Sequence, residues 1–232
     1  MSNWAIIVAA GRSVRFGSDL PKQFQEVAGR PLLAWTLAAF EKANSIDEIV
    51  TVTSEDYQLF VTQKVINPFK LGKVGKVING GGTRRESVFN GLKALPSTAD
   101  VVAIHDGVRP LVKPDDIDRV VALAGKHKAA MLAVPVKDTV KQVENGIIVD
   151  TLVRENIWLA QTPQAFDYHL IFEAHQEFAL TSDTAFASDD SILIEKMGIK
   201  VRVVEPSASN IKVTTPEDLA FVESILGGYL HD

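Results

Sequence analysis

The chain has 232 residues, 24 Lys plus Arg against 29 Asp plus Glu, a net charge of -5 and no cysteine. That length buries a sizeable core, and α/β folds of this size are routinely one domain. The acidic balance argues against a nucleic-acid binder, and the lack of cysteine removes disulfides, thiolate metal sites and thiol nucleophiles. No apolar run approaches the roughly 20 residues that cross a bilayer, and Met1-Ser2-Asn3 lacks the pattern of a signal peptide. A cytoplasmic protein without a membrane partner is the expectation.

The first element is the apolar run Ile6-Ile7-Val8-Ala9-Ala10, the pattern of a strand buried on both faces. It stops at Gly11, and the loop that follows carries Arg12, Arg15 and Lys22. A buried strand ending in a small-residue turn brings backbone N–H groups close to a ligand, and phosphate suits such a turn. Two familiar phosphate loops are excluded by the letters. Ser13 stands where a dinucleotide fingerprint needs its second glycine, and Phe16 where a P-loop needs its own.

Apolar β-rich runs then alternate with helical patterns, which predicts a mostly parallel sheet with helices on both faces. Gly29 and Pro31 mark a helix start, with Leu32, Leu33, Leu37 and Phe40 on its apolar face. Ile49 to Thr53 reads as a strand, and Ser54 is expected to cap a helix opening with Glu55 and Asp56. Lys73 to Ile78 is the next strand. Gly80-Gly81-Gly82 follows, and Thr83-Arg84-Arg85-Glu86 has the spacing of a capping box. The glycine run is a second place where backbone can approach a ligand, or else a left-handed turn.

Val101 to Ile104 is a buried strand leading into His105-Asp106-Gly107-Val108-Arg109-Pro110. Ligands of open α/β sheets bind beyond the carboxyl ends of strands, where this segment falls. Asp106 suits a hard cation such as Mg²⁺, Arg109 suits a phosphate, and His105 reads as a satisfied histidine at a strand end. A helix from Pro114 to about Lys126 and a strand from Ala129 to Val134 follow. Thr139 to Val143 and Ile147 to Val153, joined by Asn145-Gly146, read as a β-hairpin. Ser188-Asp189-Asp190-Ser191 opens a helix whose two acids read as dipole partners. Ile199 to Val204 is a strand, Lys212 is expected on a strand end within Asn210 to Thr214, and Pro216 starts the last helix.

The run Ala9-Ala10-Gly11, Arg15, then Pro21-Lys22-Gln23-Phe24 resembles the signature loop of the sugar-nucleotidyltransferase-like cytidylyltransferases. The 2-C-methyl-D-erythritol 4-phosphate cytidylyltransferases of the non-mevalonate isoprenoid pathway are the nearest of these. His-Asp-x-x-Arg-Pro at 105–110, Pro135 to Thr139, Thr162-Pro163-Gln164, Ser188-Asp189-Asp190 and Asn210-Ile211-Lys212 agree in the same order, so the resemblance runs from about residue 4 to 226. It implies a single Rossmann-like three-layer domain over 1–232, with residues 136–157 as an inserted β-arm that crosses to a second subunit of a homodimer. It implies transfer of a cytidylyl group from CTP to a sugar-alcohol phosphate, with Mg²⁺ or another divalent cation. Arg15, Lys22, Arg154 and Lys212 would be catalytic, and Asp106 would hold the metal. Ala9, Ala10, Gly11, Gly81, Gly82, Ser87 and Gly107 would contact the nucleotide, and Arg109, Thr139, Arg154 and Thr162 the acceptor. Gly82 departs from the family pattern, in which an acidic residue is common there. Ribitol 5-phosphate as acceptor, or a nucleotide-binding module without catalysis, are the competing readings; the missing fingerprint disfavours a redox protein.

Overall fold

A computed structural model describes residues 1–11, 20–179 and 189–228. Strand β1 (Asn3–Val8) is followed by a small hairpin, β2 (Glu26–Val27) and β3 (Arg30–Pro31), and by α1 (Leu32–Lys42), β4 (Glu48–Thr53), the short α2 (Gln58–Phe60) and β5 (Val74–Asn79). The chain continues through α3 (Arg84–Ala94), β6 (Val101–Asp106), α4 (Pro114–His127), β7 (Ala129–Pro135) and the arm strands β8 (Lys141–Glu144) and β9 (Ile147–Thr151). Strand β10 (Trp158–Asp167), α5 (Tyr168–Ala179), α6 (Ser191–Lys196), β11 (Arg202–Val204) and α7 (Pro216–Gly228) complete it.

Seven strands form one sheet in the order β11-β7-β10-β6-β1-β4-β5. All neighbours are parallel except β10, which runs antiparallel to both β6 and β7. After β1 the chain builds outward through β4 and β5, then returns to lay β6 on the opposite side of β1. The sheet therefore changes direction between β1 and β6, where Val8 pairs with Asp106. A crevice opens at such a reversal, beyond the carboxyl ends of the strands.

Side chains of β1 alternate between two cores, as the period of a strand requires. Ala5 and Ile7 pack with α1 and α4, whereas Trp4 and Ile6 pack with α3, α5 and α6. A third cluster joins Val27, Leu32, Val108, Leu111 and Val213 to Val222 and Leu226 of α7. It anchors the segment that carries Lys212.

Four local expectations need correction. Gly29 sits in the β2–β3 turn beside Ala28, both at positive φ, and the helix start is left to Pro31. Ser54 gives no side-chain cap; it precedes a 3-10 turn (Glu55–Tyr57) that runs through α2 into a π-helical stretch (Val61–Ile66). The strand expected over 199–204 is only three residues long, because β11 pairs with β7 only from Arg202 to Val204. Residues 210–214 pair with no strand among the described residues, and the Val213 N–H bonds instead to the Val108 carbonyl at 2.9 Å.

Gly91 on α3 faces Ile6 so closely that a Cβ there would lie 2.7 Å from Ile6 Cγ2. Overpacking a core costs about 1–3 kcal/mol, against the roughly 1 kcal/mol of helix propensity that Ala gains over Gly. Gly91→Ala is expected to lower the urea midpoint with an unchanged m-value, and a higher midpoint would show that Ile6 can yield.

Candidate active site

The site is built on the carboxyl ends of β1, β5 and β6. Beyond β1, the Ala9 N–H donates to the Val52 carbonyl at 2.7 Å. Gln23 reaches back with Nε2 to the carbonyls of Ala9 and Gly11, at 2.7 and 3.0 Å. The chain on either side of the basic loop is thus pinned by one buried amide, next to Lys22 on a 3-10 turn. Arg12 and Arg15 lie outside the described residues. Phe24, the last residue of that turn, stacks on Tyr57 with centroids 4.8 Å apart.

The capping box at the start of α3 forms as its sequence requires, and it consumes the glycine run's donors. Glu86 N–H bonds to Thr83 Oγ1, while Glu86 Oε2 accepts from Gly82 and Thr83 N–H at 2.6 and 3.2 Å. Ser87 Oγ accepts from Gly81 N–H at 3.0 Å and donates to the Thr83 carbonyl. Gly80, Gly81 and Gly82 all avoid positive φ, so the run is no left-handed turn. Its glycines answer to close approach instead: a Cβ at Gly80 would lie 2.5 Å from Ala10 Cβ and 2.8 Å from Ser87 Oγ. With their N–H groups taken, the residues offer a ligand mainly carbonyl oxygens. Gly80, Gly81, Ala10, Gly11, Pro21, Ser54 to Tyr57 and Asn79 line a cleft of about 490 Å³.

Asp106 ends β6 and carries the charge centre. Its Oδ1 lies 3.1 Å from Arg84 Nε, and its Oδ2 lies 2.9 Å from Lys212 Nζ and 3.5 Å from Arg109 Nε. Burial alone would push this carboxyl up, but Arg84, then Lys212 and Arg109, hold it well below the usual carboxylate range. Arg109 is itself buried, and donates to the Asn210 carbonyl at 2.8 Å. Its guanidinium is lowered by burial and supported by Asp106.

His105 is buried and neutral, lowered to about 3 by desolvation. Its Nε2 meets the Arg109 carbonyl at 3.2 Å, and its Nδ1 meets Thr162 Oγ1 at 3.0 Å. A carbonyl can only accept, so Nε2 bears the hydrogen and Thr162 donates to Nδ1. The same hydroxyl accepts the Asp106 N–H at 3.1 Å. Thr162 is thereby occupied inside the protein, where it positions Asp106. Gly107 is also interior, its N–H on the Val8 carbonyl and its own carbonyl accepting from Thr36.

Two charged residues escaped the sequence reading. Arg84 drew notice only as part of the capping-box spacing, yet it bridges Asp106 and Asp190, with Nη1 2.8 Å from Asp190 Oδ2. Asp190 was expected to serve the helix dipole; instead it is 2 % exposed and faces Arg84 and His175. An arginine beside a capping box carries no sequence signal of a partner 106 positions away. Thr139 and Arg154 lie on the arm, where Arg154 is exposed, donates to the Lys137 carbonyl at 3.2 Å and pairs with Glu155.

A mostly parallel sheet with a glycine-lined cleft and gathered cations at its direction change suits a nucleotide-handling α/β enzyme, such as a nucleotidyltransferase. Similarity to known proteins narrows this. The family profile described as "IspD: 2-C-methyl-D-erythritol 4-phosphate cytidylyltransferase" matches residues 4–228, and the chain belongs to that family. It is 42 % identical over 229 residues to the 2-C-methyl-D-erythritol 4-phosphate cytidylyltransferase of Geobacter metallireducens, covering 97 % of this chain and 98 % of that one. That of Geotalea uraniireducens is 44 % identical over 224 residues, with 96 % and 95 % covered. Among solved structures, the 4-diphosphocytidyl-2C-methyl-D-erythritol synthase of Anaerococcus prevotii superposes with a TM-score of 0.85 at 35 % identity, covering 97 % and 96 %. The Francisella tularensis 2-C-methyl-D-erythritol 4-phosphate cytidylyltransferase gives 0.80 at 33 %, covering 97 % and 99 %.

Gly80→Ala must displace Ser87 or Ala10 and so reshape the cleft. Calorimetric titration with CTP is expected to show affinity reduced by about tenfold or more, a loss of roughly 1.4 kcal/mol; unchanged affinity would take the nucleotide away from this cleft.

Proposed function

We propose that the chain transfers the cytidylyl group of CTP to 2-C-methyl-D-erythritol 4-phosphate, releasing pyrophosphate. A non-bridging oxygen of the acceptor's phosphate attacks the α-phosphorus, and the bond from that phosphorus to the oxygen bridging to the β-phosphate breaks. The leaving group is pyrophosphate. The second pKa of a phosphate monoester is about 6, so the nucleophile is already largely dianionic at neutral pH. No general base is required, and the cost lies in bringing two anions together. Catalysis is then positioning and charge neutralisation.

The observation that carries this reading is the group of cations converging on Asp106, with Lys212 Nζ 2.9 Å from Oδ2, at the crevice between β1 and β6. Lys22 and Arg15 would offset charge on the triphosphate, and Lys212 would aim the attacking phosphate. Arg109 would tether Asp106 and the 210 segment beneath it. Ala10, Gly11, Gly81, Gly82 and Ser87 would face the nucleoside, with Ala9 and Gly107 fixing the backbone behind them. The same reading puts the chain in the cytoplasm, where its phosphorylated substrates are held.

A divalent cation fits this donor set. Among the described residues no three His, Asp or Glu side chains gather. A Mg²⁺ ion, however, is commonly held by one or two carboxylates plus substrate phosphates, and Asp106 stays ionised to serve. When bound, the ion would neutralise triphosphate charge. Lys212, whose side chain is 40 % exposed, would swing from Oδ2 toward a phosphate.

Dimerisation through the arm belongs to the same proposal. Val143, Ile147, Ile148, Val149 and Val153 are all about half exposed or more, and Trp158 and Leu159 at the root of the arm are also exposed. Apolar side chains left uncovered on both faces of a hairpin suit an interaction site. Arg154 and Thr139 on that arm would then reach the partner's acceptor.

Pyrophosphate release assayed over the four ribonucleoside triphosphates, with the methylerythritol and ribitol acceptors, is expected to be strongest for CTP with the former; preference for another pair would overturn the assignment. Lys22→Ala is expected to lower turnover roughly 10²–10³-fold. Mixing Lys22→Ala with Arg154→Ala subunits should restore activity beyond either parent, and its failure to do so removes the shared site.

A further inference from the structure

Asp190 is buried and Arg84 partly buried, its side chain 29 % exposed, and the reaction described above uses neither charge. Arg84 is the first residue of α3, so the capping box that fixes the glycine run also fixes where this side chain starts. From there it spans two carboxylates on separate elements, Nε to Asp106 at the end of β6 and Nη1 to Asp190 before α6. Burial would lower the Arg84 guanidinium, yet the two carboxylates, Asp190 foremost, raise it above its ordinary value.

Asp190 does not serve its own helix. It stands at the N-cap of α6 without a side-chain cap bond. Asp189 does that work, accepting from the Ile192 N–H and the Ser191 hydroxyl. Gln164 of β10 then clamps both acids: its Oε1 accepts from the Asp190 and Ser191 N–H groups at 3.1 and 3.0 Å, and its Nε2 donates to Asp189 at 2.8 Å. His175 Nε2 lies 3.4 Å from the other Asp190 oxygen. Buried ion pairs seldom repay their desolvation, and apolar residues of similar volume are often as stable. An anchored Asp190–Arg84–Asp106 line is therefore poorly explained by stability alone.

The geometry supplies another reason. Arg84 grips Oδ1 of Asp106, leaving Oδ2 to Arg109 and to Lys212, whose side chain is 40 % exposed. We propose that Arg84, held in place by Asp190, is a positioning residue for cytidylyl transfer: it fixes the rotation of the Asp106 carboxylate so that Oδ2 faces the anion crevice. This rests on the role given to Asp106 above.

The test is a double-mutant cycle on pyrophosphate release. Asp190→Asn keeps the shape of the anchor and removes its charge; Arg84→Lys keeps charge and removes the fork that spans two carboxylates. Each is expected to lower kcat on the order of 10-fold to 10²-fold, with KM for CTP within about threefold of the unmutated protein. In an Asp106→Ala background, adding Asp190→Asn is expected to change kcat by less than about twofold, because the anchor then has nothing to hold. A full multiplicative loss in that background overturns the inference while leaving Asp106 in the site. Asp106→Ala with near-normal turnover overturns the role of Asp106 itself. Circular dichroism is to check that each variant is folded. Should neither anchor variant fold, the unmutated protein decides: the Arg84 Nε–H should give a slowly exchanging resonance that CTP leaves in place. Coupling of that proton to a CTP phosphorus would overturn the inference.

Discussion

One carboxylate surrounded by three cations governs the arrangement of this molecule. Asp106 draws Arg84 from α3, Arg109 from the turn after β6 and Lys212 from the segment before α7 to a single point. Those residues come from three distant parts of the sequence, and only the closure of the sheet between β1 and β6 makes them neighbours. Without the negative charge the three would repel one another in a partly buried space. With it they form a positive surface that can stay assembled before any anion arrives, which is the condition for electrostatic preorganisation.

The backbone is arranged to keep that point still. Thr162 holds the Asp106 N–H from β10, and His105 is locked as a neutral tautomer between Thr162 and Arg109. Asn210 gives its carbonyl to Arg109 and its side-chain amide to the Thr162 carbonyl and Gln161. The antiparallel β10 thus does what a parallel neighbour in its place would not: it brings a threonine and two glutamines to the end of the sheet from the opposite direction. Lys212 has the most exposed side chain of the three cations.

Much of this was legible in the sequence because it rests on local pattern. The first buried strand, which runs Asn3–Val8 rather than on to Ala10, the capping box at Thr83, the helix from Pro114 and the hairpin at Asn145-Gly146 all follow from spacing and turn chemistry. His105 as a satisfied strand-end histidine follows in the same way. The misreadings are tertiary. Ser54 has a capping residue's chemistry, but its neighbours enter a 3-10 turn at the edge of the cleft. Residues 210–214 have strand propensity but find no edge to pair with, and the bond from Val213 to Val108 takes the place of a ladder. Asp190 resembles an ordinary first-turn acid until the fold brings Arg84 to it. Long-range ion pairs of this kind leave no periodic trace.

The glycine run has a consequence for orientation. Because Ser87 and Glu86 absorb the amide hydrogens of Gly81, Gly82 and Thr83, that end of the cleft presents oxygens, with Glu55 and Asp56 on the same wall. The charge centre at Asp106 presents nitrogens instead, from Arg84, Arg109 and Lys212. Phosphates laid against the glycine run would meet acceptors, whereas at Asp106 they would meet cations. The site therefore has a polarity, like a keyed socket, set at the glycine end by the Ser87 and Glu86 side chains that take up the main-chain N–H groups.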